Sequence, residues 1–221
     1  MGVTMTPMRI LVSGFEPFGG DVANASGDAV EQLGATWDDP AVDLHVVTLP
    51  VSFDRAPTAL AAAIAATRPD AVICVGEAGG RTAVTPERWA VNERSARIPD
   101  NDGAQPSGPI DDLAPSLASR IDVDGIVEAM RAAGIEAQPS QDAGRYVCNA
   151  VFRAALTGFD GPAGFIHVPA LRATGEALVG AETDGAEPRP ADRGGVAGVS
   201  ALPELVTALR AAVEVVSRSR A

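Results

Sequence analysis

The sequence predicts an α/β protein: a single-domain, three-layer α/β/α sandwich built on a mostly parallel, twisted sheet and spanning residues 1–221. Three observations carry that prediction. Short runs of β-branched and other apolar residues alternate with Ala-rich stretches of helical spacing, the grammar of βαβ units. Residues 71–76 are apolar at every position, as a strand covered by helices on both faces must be. With 221 residues, 46% of them apolar, the chain can fill one large core; aromatics at 4% mean that Ala, Val, Leu and Ile do the filling.

Strand one is expected at 9–13, followed by a helix over 26–33 with Ser26 as its N-cap residue. A second strand covers 42–49, and a helix over 54–67 stops at Arg68-Pro69. The third strand is the apolar run 71–76. Residues 85–95 alternate loosely, as a fourth strand or a ribbon, and the Pro-, Asp- and Gly-rich residues 98–110 form a loop. Then come a helix over 123–133, a short strand at 135–137, a helix over 148–156, an apolar strand at 164–168 and a closing amphipathic helix over 202–216. Residues 174–198 hold few large apolar side chains and are expected to form a mobile insert or lid. In an open sheet of this kind ligands gather beyond the carboxyl ends of the strands, so the chemistry is expected there.

Composition excludes several classes. A net charge of −12 opposes a nucleic-acid partner, which needs clustered cations to displace counterions. All basic residues are Arg, so a Lys Schiff base and a Walker-type lysine are ruled out. No apolar run approaches the ~20 residues that cross a bilayer, and residues 1–8 lack the features of a signal peptide; a cytoplasmic location is expected. Cys74 and Cys148 share no framework spacing and are expected to be free thiols. With His45 and His167 the only histidines, neither a metal nor another cofactor is expected.

Two segments carry candidate chemistry. Cys148 lies at or just before a helix start, behind the turn-forming Gly144. A helix N-terminus favours a thiolate and points N–H groups at an oxyanion formed beside the sulfur. A free cysteine is more often a small buried hydrophobe, and the local feature alone favours that reading; Cys74, mid-strand, receives only that one. His167 ends an apolar strand ahead of Pro169, where it either faces a site or serves the core. His45, within strand two, is read as structural. A Cys–His pair at adjacent strand ends would let the imidazole take the thiol proton and return it to a leaving amine. Such a pair needs a carboxylate to set the ring tautomer, and Glu87 is the candidate, although spacing alone does not select it.

Six blocks in register resemble the pyrrolidone-carboxylate peptidases, a family of cysteine peptidases. They are Gly14-Phe15-Glu16-Pro17-Phe18-Gly19-Gly20, Gly79-Gly80-Arg81, Pro86-Glu87-Arg88, Ala96-Arg97-Ile98-Pro99-Asp100-Asn101, Tyr146-Val147-Cys148-Asn149 and Gly164-Phe165-Ile166-His167-Val168-Pro169. The resemblance runs over roughly residues 8–170. It implies a triad of Cys148, His167 and Glu87, an arginine at Arg97 near the oxyanion, Phe15 and Phe18 flanking a pyroglutamyl ring, pyroglutamyl peptides as substrates and a homotetramer. A neutral lactam with flat apolar faces and a polar edge suits such a pocket.

The sequence departs from the family pattern at Glu77, where that pattern has Gln, at Ala25 in place of a proline, at Trp89 in place of a smaller residue, and in a longer 174–198 segment. Glu77 is expected to accept the lactam N–H, though it cannot donate to the ring carbonyl as Gln can. The alternatives are a cysteine amidohydrolase for a different small amide, or a non-catalytic small-molecule binding module.

Overall fold

The computed structural model describes residues 6–171, 198–199 and 201–219, so the expected mobile insert falls, but for Gly198, outside the described residues. In chain order the first half holds β1 (Met8–Phe15), α1 (Ala25–Thr36), β2 (Val42–Leu49), α2 (Arg55–Thr67), β3 (Ala71–Ala78), β4 (Thr85–Pro86), β5 (Trp89–Val91) and β6 (Arg94–Ser95). The second half holds β7 (Ser107–Gly108), β8 (Ser116–Ala118), α3 (Val123–Ala132), α4 (Val147–Gly158), β9 (Ala163–Pro169) and α5 (Leu202–Arg218).

The main sheet has the order β2-β1-β3-β9-β4, parallel throughout except for β4, which lies antiparallel on β9. Side-chain alternation sends Ile10, Val12, Ile73, Val75, Ile166 and Val168 to one face, beneath α1, α3 and α5. Leu11, Phe15, Val72, Cys74 and Phe165 go to the other face, under α2 and α4. Each such side chain contributes about 1.5–3 kcal/mol on full burial, so both helical layers are bound firmly to β1, β3 and β9. No helix among the described residues is long and apolar enough to cross a membrane.

Most elements are found where periodicity placed them; β8 was not expected, and there are local differences elsewhere. The N-cap of α1 is Asn24, whose side chain accepts from the Ser26 N–H at 3.1 Å. Ser26 is buried within the first turn, and its hydroxyl accepts the Phe15 N–H (3.1 Å) while donating to Asn24 Oδ1 (2.7 Å). Both residue types cap helices; packing on β1 selects Asn24. The ribbon expected at 85–95 breaks into β4, β5 and β6, each with a different partner. A two-residue strand, β7, lies within the expected loop and pairs with β6. The strand expected at 135–137 is one bridge, Val84 to Ala137.

Chain order creates a crevice. β1 takes β2 on one side and β3 on the other, the switch at which open α/β sheets bind ligands. Pairing of β1 with β3 ends at Ser13 and Cys74, whereas β1–β2 continues to Phe15 and Leu49, and β3–β9 to Ala78 and Pro169. The carboxyl ends of β1 and β3 therefore part.

The arm over 89–118, with only short ribbons of its own, is pinned by side chains one turn apart on α4. Asn149 Oδ1 accepts the Val91 N–H (2.9 Å), and its amide donates to the carbonyls of Val91 (2.9 Å) and Glu93 (3.1 Å). Arg153, fully buried, grips Asp111 with two hydrogen bonds (2.6 and 2.7 Å) and donates to Ala114 O (2.7 Å). A planar fork makes this bidentate grip, which a lysine cannot reproduce.

Arg153 holds the Asp111 carboxyl below the usual carboxylate range, chiefly through their hydrogen bonds. A carboxyl depressed by folding adds stability that is fully present above its unfolded value, near pH 4, and is lost as pH falls through the folded value. Asp111→Asn should thus cost about 2 kcal/mol at pH 7, several degrees in Tm. The gap to wild type should narrow below about pH 4 in thermal melts; a gap that stays constant from pH 7 to 3 would contradict the assignment.

Candidate active site

The segment 142–149 turns sharply into α4. Gly144 has φ of +76°, a left-handed conformation that side chains disfavour, and its N–H donates to Asp142 Oδ1 at 3.0 Å. Tyr146 occupies the N-cap position in extended conformation. Its ring lies 5.4 Å from that of Phe18 and 5.1 Å, edge-on, from that of Phe53, and its hydroxyl donates to Pro99 O at 3.0 Å. Burial first, then the charges of Asp100 and Cys148, push the Tyr146 hydroxyl up from its ordinary pKa, so it stays a neutral donor.

Cys148 is the second residue of α4 and half-buried. First-turn N–H groups have no acceptor within their own helix, and the helix dipole is positive there, so this position favours a thiolate and an adjacent oxyanion. Across from it lies Gly76 on β3. A Cβ at position 76 would stand 2.7 Å from Cys148 Sγ and 2.7 Å from Phe165 Cζ, so the sulfur fills the space a side chain would need. Gly76 is also the register partner of His167. Paired residues on neighbouring parallel strands are about 4.8 Å apart and face the same way. Sulfur and imidazole therefore share one face at adjacent strand ends.

His167 is buried against the Phe165 ring, with centroids 4.8 Å apart. Its Nδ1 lies 2.8 Å from Glu87 Oε1, and Glu87 is 0% exposed. An ionised carboxylate only accepts, so the proton is assigned to Nδ1, which leaves Nε2 as the basic nitrogen. Glu87 is held from its backbone too, by an N–H bond to Phe165 O at 2.9 Å. The geometry thus brings together Cys148, His167 and Glu87. The other thiol is unsuited: Cys74 is fully buried, and burial pushes it up to about 12 against the smaller lowering by Ser13. His45 sits on edge strand β2 beside Asp43, at 3.2 Å.

Phe15, at the end of β1, is buried, and Phe18 is half-buried; both belong to the apolar cluster that Cys148 joins. Their loop is clamped through Glu16 Oε1, which accepts from Val51 N (3.1 Å) and Asn101 Nδ2 (2.8 Å), and through Asn24, which donates to Glu16 O (3.0 Å). Asp100 ties the opposing loop by accepting from Phe53, Asp102 and Ala104 N–H groups (2.9, 3.0 and 2.8 Å). Arg97 is exposed on that loop, between Ala96 and Ile98, which pack against the cluster.

The carboxylate of Glu77 is placed apart from the sulfur. Alternation on β3 turns it to the opposite face from Gly76, where it accepts the Ala25 N–H at the start of α1 (2.6 Å). A negative charge there is favoured by the helix dipole. Sequence reasoning assigned no role to Arg81, which pairs with Glu87 Oε1 at 2.6 Å; its signal was its place six residues before the carboxylate, at the end of Gly79-Gly80-Arg81. Gly76 also went unassigned, since a glycine ending an apolar run looks like punctuation. Among the described residues no three His, Cys, Asp or Glu side chains cluster as metal ligands.

Residues 8–219 match the family model described as pyroglutamyl peptidase. A pyrrolidone-carboxylate peptidase of Streptococcus pyogenes serotype M5 (strain Manfredo) is 40% identical over 169 residues, 73% of this chain and 78% of that protein. The crystal structure of pyroglutamyl peptidase I from Bacillus amyloliquefaciens is similar at 30% identity with TM-score 0.82, covering 96% of each chain. That of pyrrolidone carboxyl peptidase from Pyrococcus furiosus is similar at 32% identity with TM-score 0.80, covering 96% of this chain and 99% of the other.

Two substitutions probe this geometry. Gly76→Ala should lower turnover about 100-fold, because displacing a reacting atom by about 1 Å suffices for that, while circular dichroism shows the fold retained; activity within threefold of wild type would mean the sulfur works elsewhere. Glu77→Gln should lose the charge–dipole part of its bond, about 0.5 kcal/mol or one to two degrees in Tm, with kcat unchanged. A changed kcat at unchanged Tm would put the carboxylate on the substrate.

Proposed function

The chain belongs to the pyroglutamyl peptidase family, and on that premise we propose how its own residues hydrolyse the amide bond after an N-terminal pyroglutamyl residue. The observation that carries the assignment is the alignment of Glu87, His167 and Cys148 over the bare backbone of Gly76.

His167 Nε2 takes the Cys148 thiol proton, and the thiolate attacks the carbonyl carbon that follows the ring. The resulting oxyanion meets N–H groups of the first turn of α4, that of Cys148 foremost. As the C–N bond breaks, His167 returns the proton to the leaving amine, leaving a thioester on Cys148. Water, deprotonated by the same Nε2, attacks the thioester; free pyroglutamate departs and the thiol is restored. Glu87 holds the Nδ1 proton and balances the imidazolium at each transfer.

Substrate contacts follow from the crevice between β1 and β3. Phe15 and Phe18 flank the flat faces of the lactam. Val72 donates its N–H to Pro162 O on the β9 side (2.9 Å), so alternate residues, Glu77 included, turn N–H and C=O toward β1. These groups of Glu77 complement the lactam carbonyl and N–H, while its carboxylate steadies α1. Arg97 reaches the peptide from the opposing loop. A pyroglutamyl terminus has no ammonium group, so its pocket requires no carboxylate. Two free thiols suit a cytoplasmic enzyme, and the reading includes a homotetramer, which size-exclusion chromatography with light scattering would test.

Hydrolysis of a pyroglutamyl-naphthylamide tests the core of this account. Cys148→Ser should abolish it with the fold intact, since serine lacks a low-pKa nucleophile, and Cys74→Ser should keep it. Activity in the first variant, or its loss from a folded second variant, would assign the wrong thiol.

A further inference from the structure

Glu87 presents an unusual arrangement for a buried carboxylate. One oxygen, Oε1, receives both His167 Nδ1 (2.8 Å) and Arg81 Nη1 (2.6 Å). The other, Oε2, is buried with no hydrogen-bond partner among the described residues. All compensation of this charge therefore converges on a single atom.

The two donors differ in kind. His167 is a cation only while it holds the thiol proton; a guanidinium is a cation at every stage. When His167 is neutral, Arg81 is the one permanent positive charge on Glu87 among the described residues. A carboxylate sealed from water without a counter-charge neutralises itself by taking up a proton. A protonated Glu87 would donate to Nδ1 rather than accept from it, moving the ring proton to Nε2, the nitrogen that must be free to act as base.

Arg81 also reaches the elements on either side. Its Nη1 donates to the Thr85 hydroxyl, which itself donates to His167 O at 3.5 Å, and its Nη2 donates to Asp142 O at 2.8 Å, on the loop leading into the helix of Cys148. Its side chain is 18% exposed.

We propose that Arg81 is a positioning residue for catalysis: it keeps Glu87 ionised and fixes where Oε1 sits, and thereby maintains the His167 tautomer with Nε2 as base. The proposal rests on the functional reading above, and its test includes a measurement that does not need the substrate to be right.

Arg81→Lys, Arg81→Gln and Arg81→Met are compared with wild type. Lys keeps the charge beside Glu87 but cannot also span to Asp142; Gln keeps polarity without charge; Met removes both. Nitrogen-15 NMR of histidine-labelled protein at neutral pH, with His45→Gln to assign the ring signals, reads the His167 tautomer. Wild type and Lys should show Nδ1–H, whereas Gln and Met should shift to Nε2–H. On pyroglutamyl-naphthylamide, Gln and Met should lose about 100-fold or more in kcat with KM within about threefold, while Lys stays within about tenfold of wild type.

Gln matching Lys in kcat would overturn the proposal, as would an Nδ1–H tautomer retained in Met. If Met fails to fold, the comparison of Lys with Gln decides; if none of the three folds, Arg81 belongs to the architecture and the proposal falls. A wild type inactive on the substrate would sink the functional reading instead, with the tautomer measurement still deciding the role of Arg81.

Discussion

The site depends on one close approach: the first turn of α4 comes down on the sheet where β3 has no side chain. Gly76 leaves a gap that Cys148 Sγ enters, and any Cβ there would overlap both the sulfur and the Phe165 ring. Because Gly76 is in register with His167, filling the gap also puts the sulfur beside the imidazole. Strand register and helix docking thus set where sulfur and imidazole lie together, before any polar contact is counted. Dispersion and burial under α4 hold that docking, through Val151, Phe152 and Ala155, all fully buried.

Helix α4 works in three directions from consecutive turns. Its N-terminus carries Tyr146, which reaches the Phe18 loop and Pro99, and Cys148, which reaches the sheet. Asn149 and Arg153, four residues apart and so on one helical face, grip the arm that supplies β5 and the loop of Arg97. The arm packs Ala90, Ala96, Ile98, Ile110 and Leu117 against the cluster under α4, and the polar side chains of the helix add to that burial by fixing its backbone. Each bond to backbone contributes about 1 kcal/mol net, and those to a charged partner about 1.5–3, so Arg153 dominates the polar attachment.

Buried charge is treated differently in two places. Arg153 meets Asp111 in a bidentate pair whose carboxylate stays partly wet, an arrangement that stabilises. Glu87 is sealed entirely and leaves one oxygen without a partner among the described residues. Such a group adds little to stability or lowers it; what its other oxygen does is hold the His167 ring at Nδ1.

Much of this was legible in the amino-acid sequence. Strand and helix positions follow from periods of 2 and 3.6 because burial acts on each residue through its nearest neighbours, so β2 was placed to the residue and β9 to within one. A helix start behind a glycine made Cys148 a candidate and a strand end did the same for His167, but local features left the structural reading standing for both, and family resemblance was what joined them to Glu87. What sequence could not supply is direction and register across long separations. Whether Glu77 faces the crevice or α1 is decided by which way β3 alternates at its last residues, and only the pairing with β9 shows it. The same register makes Gly76 the seat of the sulfur. Asn24 rather than Ser26 caps α1 because the Ser26 hydroxyl is drawn onto β1, a contact between elements. Local free energies are written along the chain and can be read there; contacts across 52 to 80 residues, such as Glu77 to Ala25 and Glu87 to His167, exist only once the sheet has assembled.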